Sequence, residues 1–128
     1  MPAIVRRTPQ GKDQARPSKG EGMFKGLVAR YKKRQAKKVI RQARTILVEE
    51  GWRTGAMGAV GYPSCLMGAL RQAGTGDPHG MRFECSEKGR IILDLIQQEL
   101  PSKSGLIIWN DAQRSAEPVL ELLEKVSA

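Results

Sequence analysis

The chain has 128 residues, 40% of them hydrophobic and only 5% aromatic, with a formal net charge of +9. That length gives room for one domain with a single core of moderate size. Its longest apolar run, Leu106 to Trp109, is far too short to span a bilayer, and two cysteines, Cys65 and Cys85, do not make a secreted disulfide framework.

The charge is unevenly placed. Residues 1–45 hold 14 Lys/Arg against two acids, Asp13 and Glu21, whereas residues 46–128 hold 8 against 11. A basic arm on a near-neutral domain implies a polyanionic partner. Residues 1–22 carry Pro2, Pro9 and Pro17 and three glycines among scattered cations. No helical or strand period runs through them, and they cannot bury enough apolar surface to offset their ordering entropy. They read as a flexible, disordered basic tail. No apolar run follows Arg6, Arg7 and Lys12, so a signal peptide is not expected, nor a membrane partner; the expected compartment is the cytoplasm.

From Met23 the pattern becomes helical. Phe24, Leu27, Val28, Tyr31, Gln35, Val39, Ala43 and Ile46 fall along one stripe at steps of three or four. Arg30, Lys33, Arg34, Lys37, Arg41 and Arg44 form the opposite stripe, with Lys38 beside it. A basic helix over 23–50, stopped at Gly51, is about 42 Å long, enough for its first half to project beyond the domain. Glu49 and Glu50 oppose the dipole at its C-terminal end, so they are expected either to pair or to fray the last turn. Gly55, Gly58 and Gly61 follow Trp52 at intervals of three. This is neither G-x-G-x-x-G nor a P-loop, and no strand precedes it, so it reads as a connection with close backbone packing.

Tyr62 to Gly74 reads as a central core helix capped by Ser64 and ended by Gly74. Cys65, Gly68 and Ala69 share one face almost free of bulk, so a neighbouring helix can approach closely. A turn-rich loop through His79 leads to a third helix, capped by Ser86, with Ile91, Ile92, Leu95, Ile96 and Leu100 inward and Pro101 as its stop. Leu106 to Asp111 is too short for periodicity to separate strand from helix; with no second strand to pair with, a short helix is the better reading. In the last helix Ser115 caps, Pro118 sits harmlessly in the first turn, and Val119, Leu120, Leu122, Leu123 and Val126 face the core. The fold expected is therefore all-α: four to five short helices in a domain over 23–128, with a compact core at about 40–127, a long basic N-terminal helix and the basic tail.

Cys65, His79 and Asp111 are the one trio resembling nucleophile, base and orienting acid. Catalysis would require them within mutual hydrogen-bond reach, and Cys65 lies on the bald packing face, where a buried thiol is ordinary. No enzyme activity is expected. Two cysteines and one histidine lack metal-ligand spacing, so no metal or cofactor is expected either. Trp109-Asn110-Asp111 reads either as a recognition loop or as a buried Trp followed by local turn formers; the structural reading is favoured, because a turn must occur before the last helix.

Several motifs taken together are similar to one known group. Leu47-Val48-Glu49-Glu50-Gly51-Trp52, then Cys65 to Leu70, then Trp109-Asn110-Asp111, then the closing helix from Glu117 resemble a domain-of-unknown-function family of small actinobacterial and actinophage proteins. The resemblance covers about 40–128 and implies a phage or actinobacterial origin. It carries no mechanism. Ala112 to Ser115 stand where the family usually has a Pro-Gly turn.

The basic stripe remains the functional signal. A solvated surface normally mixes charge signs, yet no acid falls between Glu21 and Glu49. A membrane-surface helix would need a denser apolar side. Contacts to nucleic acid (DNA or RNA) through Arg30, Lys33, Arg34, Lys37, Lys38, Arg41 and Arg44 fit best. Such side chains position a protein on phosphates without reading sequence, and six neutralised phosphates would give a salt slope near −5 on duplex DNA. The alternative is a protein-interaction module whose basic arm docks the acidic surface of a host or partner protein, with Trp52 and Trp109 as the large anchor candidates.

Overall fold

The computed structural model describes residues 19–55, 58–101 and 105–128. The chain divides into two units between Tyr31 and Lys32. Helix α1 (Lys19–Glu50) contributes to both, and the second unit adds α2 (Leu66–Thr75), a 3-10 turn (Met81–Cys85), α3 (Glu87–Glu99), α4 (Leu106–Asp111) and α5 (Glu117–Ser127). The all-α expectation holds. Among the described residues the one pairing outside helices is an isolated bridge between Trp52 and Ser64, and no helix is long and apolar enough to cross a membrane. Helix α1 starts at Lys19, inside the expected tail; the rest of that tail, 1–18, lies outside the described residues, as does the turn at 102–104.

The core side of α1 differs from the stripe expected. In the first unit Phe24, Leu27 and Tyr31 are exposed. In the second, the buried positions are Ala36, Val39, Ile40, Ala43 and Leu47, with Gln35 and Ile46 only half-buried. The reason is angular. Each residue advances about 100° around the axis, so repeated steps of four drift across the surface, whereas 36, 40, 43 and 47 alternate four and three and stay on one face. Glu50 is paired rather than frayed: its Oε1 accepts from the Gly61 N–H at 2.9 Å and from Gln72 Nε2 at 3.3 Å.

Helix α2 is the centre, as its bald face implies. Leu66 through Arg71 are all buried. Its ends lie one and two residues later than expected. Ser64 pairs its backbone with Gly51 (3.2 Å) and Arg53 (3.1 Å), so Cys65 becomes the cap and its Sγ accepts from the Gly68 N–H at 3.4 Å. At the other end the left-handed residue is Gly76, with φ +88°, where only glycine avoids a Cβ penalty. Gly74 stays helical and makes room for the ring of Phe83. The close packing expected of the glycine connection is realised at Gly58, where an added Cβ would overlap the Pro63 carbonyl.

Ser86 caps α3 as expected, accepting from the Gly89 N–H at 2.9 Å, and Ile92 and Ile96 point into the core. The segment 106–111 is the short helix anticipated. Helix α5 lacks the expected Ser115 cap: it begins at Glu117 after Ala116, without a side-chain cap, and Pro118 sits in its first turn. Val119, Leu122, Leu123 and Val126 are buried there. One core feature was not anticipated. Arg71, 4% exposed as a residue, donates from Nε to Glu84 Oε1 at 2.9 Å and from Nη2 to Glu84 Oε2. This two-point pair fastens α2 to the 3-10 turn. Those hydrogen bonds hold the Glu84 carboxyl below its ordinary pKa, outweighing the opposing effect of burial.

Candidate nucleic-acid interface

Of the seven candidate cations, one lies in the first unit and six in the second. Arg30 belongs to the first unit and is exposed. In the second unit Lys33, Arg34 and Lys38 are exposed. None of these four takes part in a hydrogen bond or ion pair with a described residue. The other three are engaged. Lys37 Nζ donates to the Ala128 carbonyl at 2.8 Å, Arg41 Nη2 to the Ser127 carbonyl at 3.0 Å, and Arg44 Nε to the Leu120 carbonyl at 3.4 Å. Arg44 also lies 3.8 Å from Glu124.

The division follows from position along the helix: Lys37, Arg41 and Arg44 form an i, i+4, i+7 row that reaches α5, whereas Lys33, Arg34 and Lys38 lie outside that row. At about 100° per residue, the basic stripe of the second unit lies roughly a third of a turn from the buried stripe, not opposite it. Arg44 meets the Leu120 carbonyl near the start of α5, whereas Arg41 and Lys37 meet the carbonyls at its C-terminal end, Ser127 and Ala128. Those carbonyls have no intrahelical donor and form the negative end of the helix dipole, so cations satisfy both needs. An open groove of about 450 Å³ runs along this junction, lined by Arg41, Arg44, Thr45, Glu124, Ser127 and Ala128. Lys32 makes a separate surface pair with Glu87 at 2.9 Å.

Trp109-Asn110-Asp111 is placed at a structural junction. Asn110 is 1% exposed. Its Oδ1 accepts from Trp52 Nε1 at 2.7 Å and from the Leu66 N–H at 3.1 Å. Its Nδ2 donates to the Arg53 carbonyl at 3.5 Å and to Asp111 Oδ1 at 3.2 Å. Asp111 Oδ1 in turn accepts from the Gly55 N–H at 3.0 Å. One amide thus satisfies a first-turn donor of α2, anchors an indole and ties down the loop after α1. Neither large aromatic is an open anchor: Trp109 is buried and Trp52 half-buried. The motif stretches around Trp52, Leu66 and Asn110, far apart in sequence, meet at this one side chain.

The trio Cys65, His79 and Asp111 is not brought into mutual contact. Cys65 Sγ accepts from Gly68 N–H, His79 Nε2 lies 3.0 Å from the Gly58 carbonyl, and Asp111 serves Gly55 and Asn110. Among the described residues no group of three or more His, Cys, Asp or Glu could hold a metal ion. Cys65 is a buried free thiol and Cys85 an exposed one.

No curated protein and no solved structure matches the chain. A family model does match, over residues 32–128, which is the whole of the second unit and starts earlier than the motifs at 40–128 indicated. The chain therefore belongs to the Family of unknown function (DUF6197).

Proposed function

We propose that the protein is a non-enzymatic accessory protein that binds nucleic acid through the cations of α1. The observation that supports this reading is the set of four exposed cations without a partner among the described residues (Arg30, Lys33, Arg34 and Lys38) in a stretch with no acid between Glu21 and Glu49. Cations that stabilise a fold find carboxylates or carbonyls, as Lys37, Arg41 and Arg44 do; a same-sign cluster without such partners is the electrostatic footprint of a polyanion. Binding of this kind is weakly sequence-specific, because phosphate contacts carry no base information. A cytoplasmic, phage or actinobacterial setting belongs to the same proposal; the free state of both cysteines agrees with a reducing compartment.

The two groups of cations give separable expectations. Changing Arg30, Lys33, Arg34 and Lys38 together to Ala should weaken binding to short duplex DNA at least a hundredfold at low salt and leave the melting temperature nearly unchanged. Changing Lys37 and Arg41 to Ala should instead lower stability by about 1–2 kcal/mol through loss of the α5 carbonyl contacts. Fluorescence anisotropy and thermal melting of the same two proteins check both. Unaltered DNA affinity in the four-residue variant would end the proposal.

A further inference from the structure

Three apolar side chains on the first unit's part of α1 stand in solvent: Phe24 at 68%, Leu27 at 60% and Tyr31 at 55% exposure. Isolated exposed apolar residues are ordinary, but three on one helical face require an explanation. At about 100° per residue, Phe24 and Tyr31 point within about 20° of one another, two turns apart, with Leu27 between them. Lys25 and Arg30 are exposed in the same segment. Phosphate contacts alone do not need the rings, so the basic-helix reading leaves this face unaccounted for.

Three kinds of occupant can be weighed. A second copy would bring two such helices together, and the stretch from Lys25 to Arg44 has cations and no acid, so like charges would be forced side by side. A protein groove buries about 800 Å² on each partner, whereas two rings at roughly 150–250 Å² each with one leucine supply too little. Single-stranded nucleic acid needs less. It takes one ring per stacked base, and its phosphates take the neighbouring cations. A duplex hides its base faces in its own stack and offers the rings nothing.

We infer that the face formed by Phe24, Leu27 and Tyr31 is a stacking platform, and that the protein's preferred ligand is single-stranded nucleic acid, its bases on the Phe24 and Tyr31 rings and its phosphates on Lys25 and Arg30. The inference rests on the nucleic-acid reading above and narrows its substrate class. The rings lie about 10.5 Å apart along the axis, three steps at the stacked spacing of about 3.4 Å per nucleotide. They serve non-adjacent bases, with Leu27 against the nucleotides between. Recognition of this kind accepts any base with a π face and is therefore sequence-tolerant.

The test uses the full chain with a short oligothymidylate, the matching oligouridylate and a mixed-sequence duplex of equal length, at one salt concentration. The wild type is expected to bind the single strands more tightly than the duplex. Phe24→Ala with Tyr31→Ala should weaken single-strand binding about tenfold or more and leave duplex binding unchanged, while Phe24→Tyr with Tyr31→Phe retains single-strand affinity. Alanine favours helix, and circular dichroism checks that the variant stays folded. Equal affinity for single strand and duplex, both indifferent to the alanine changes, overturns the platform and leaves the phosphate reading standing. Failure to bind any of the three ligands overturns both. Binding of polyglutamate with the same dependence on the two rings, or self-association abolished by the alanine changes, assigns the face to an acidic protein or a second copy and also overturns the platform.

Discussion

Asn110→Ala is expected to cost the fold about 3–4 kcal/mol, among the larger effects of a single substitution. The side chain is nearly inaccessible to water, and its Oδ1 is the acceptor for both Trp52 Nε1–H and the Leu66 backbone N–H. Removing it leaves two donors unmatched, each costing about 1–3 kcal/mol when water cannot replace the partner. It also releases the Arg53 carbonyl, so the loop from Trp52 to Pro63 is left tethered to α4 by the Gly55 N–H to Asp111 bond. Asn110→Asp is no rescue: it retains the acceptor but buries a charge beside Asp111. Trp52→Phe should cost much less, since it removes a donor and leaves the amide accepting from Leu66. Combining Trp52→Phe with Asn110→Ala should cost less than the sum of the two, because the indole that would be orphaned is gone. Urea unfolding of the four members of that cycle measures the coupling; strict additivity would mean that the junction does not act as a unit.

Glu84→Gln should destabilise by about 2–3 kcal/mol, somewhat below the range for a fully buried pair broken on one side, because the Glu84 side chain is 31% exposed. Arg71 would keep its charge in a site open to only 5% of its side chain, facing an amide that can offer a single acceptor oxygen. The same pair predicts a pH signature. Glu84 has its carboxyl held below the ordinary value of 4.5, first by the Arg71 hydrogen bonds. As pH falls through the window between the ordinary value and the lowered folded one, the unfolded chain takes up the proton first, so stability falls with pH there. The contribution is complete above about pH 4.5 and is lost below it. Urea titrations at several pH values should therefore show the wild type and Glu84→Gln converging in acid and diverging toward neutrality. A constant difference across that range would assign the cost to packing and not to the ion pair.

The elements and their order were legible because local chemistry determines them. Ser86 announces α3, Pro118 marks the first turn of α5, and the lack of a second strand makes 106–111 helical. What escaped depends on partners distant in sequence. Ser64 has the right residue type for a cap, but bridge pairing with Gly51 and Arg53 takes its backbone and moves the cap to Cys65. Arg71 and Glu84 look like ordinary surface charges until the packing of α2 on the 3-10 turn encloses the guanidinium. The expected stripe at 24–46 contains too many steps of four, so it drifts off the buried face and misses Ala36, Ile40 and Leu47. The engagement of Lys37, Arg41 and Arg44 could not be read from residue types, because their partners are backbone carbonyls.

That engagement alters the strength of binding expected from the basic stripe, and so provides the most direct measurement of the central claim. Affinity for duplex DNA should be measured across a range of salt and plotted as log affinity against log concentration. With four phosphates neutralised by Arg30, Lys33, Arg34 and Lys38 the slope should be about −3.6, shallower than the value near −5 for six phosphates. Substituting those four residues should flatten it by several units, while substituting Lys37 and Arg41 should leave it almost unchanged. A slope that stays near −3.6 after loss of the four cations, or an affinity indifferent to salt in the wild type, would contradict the account.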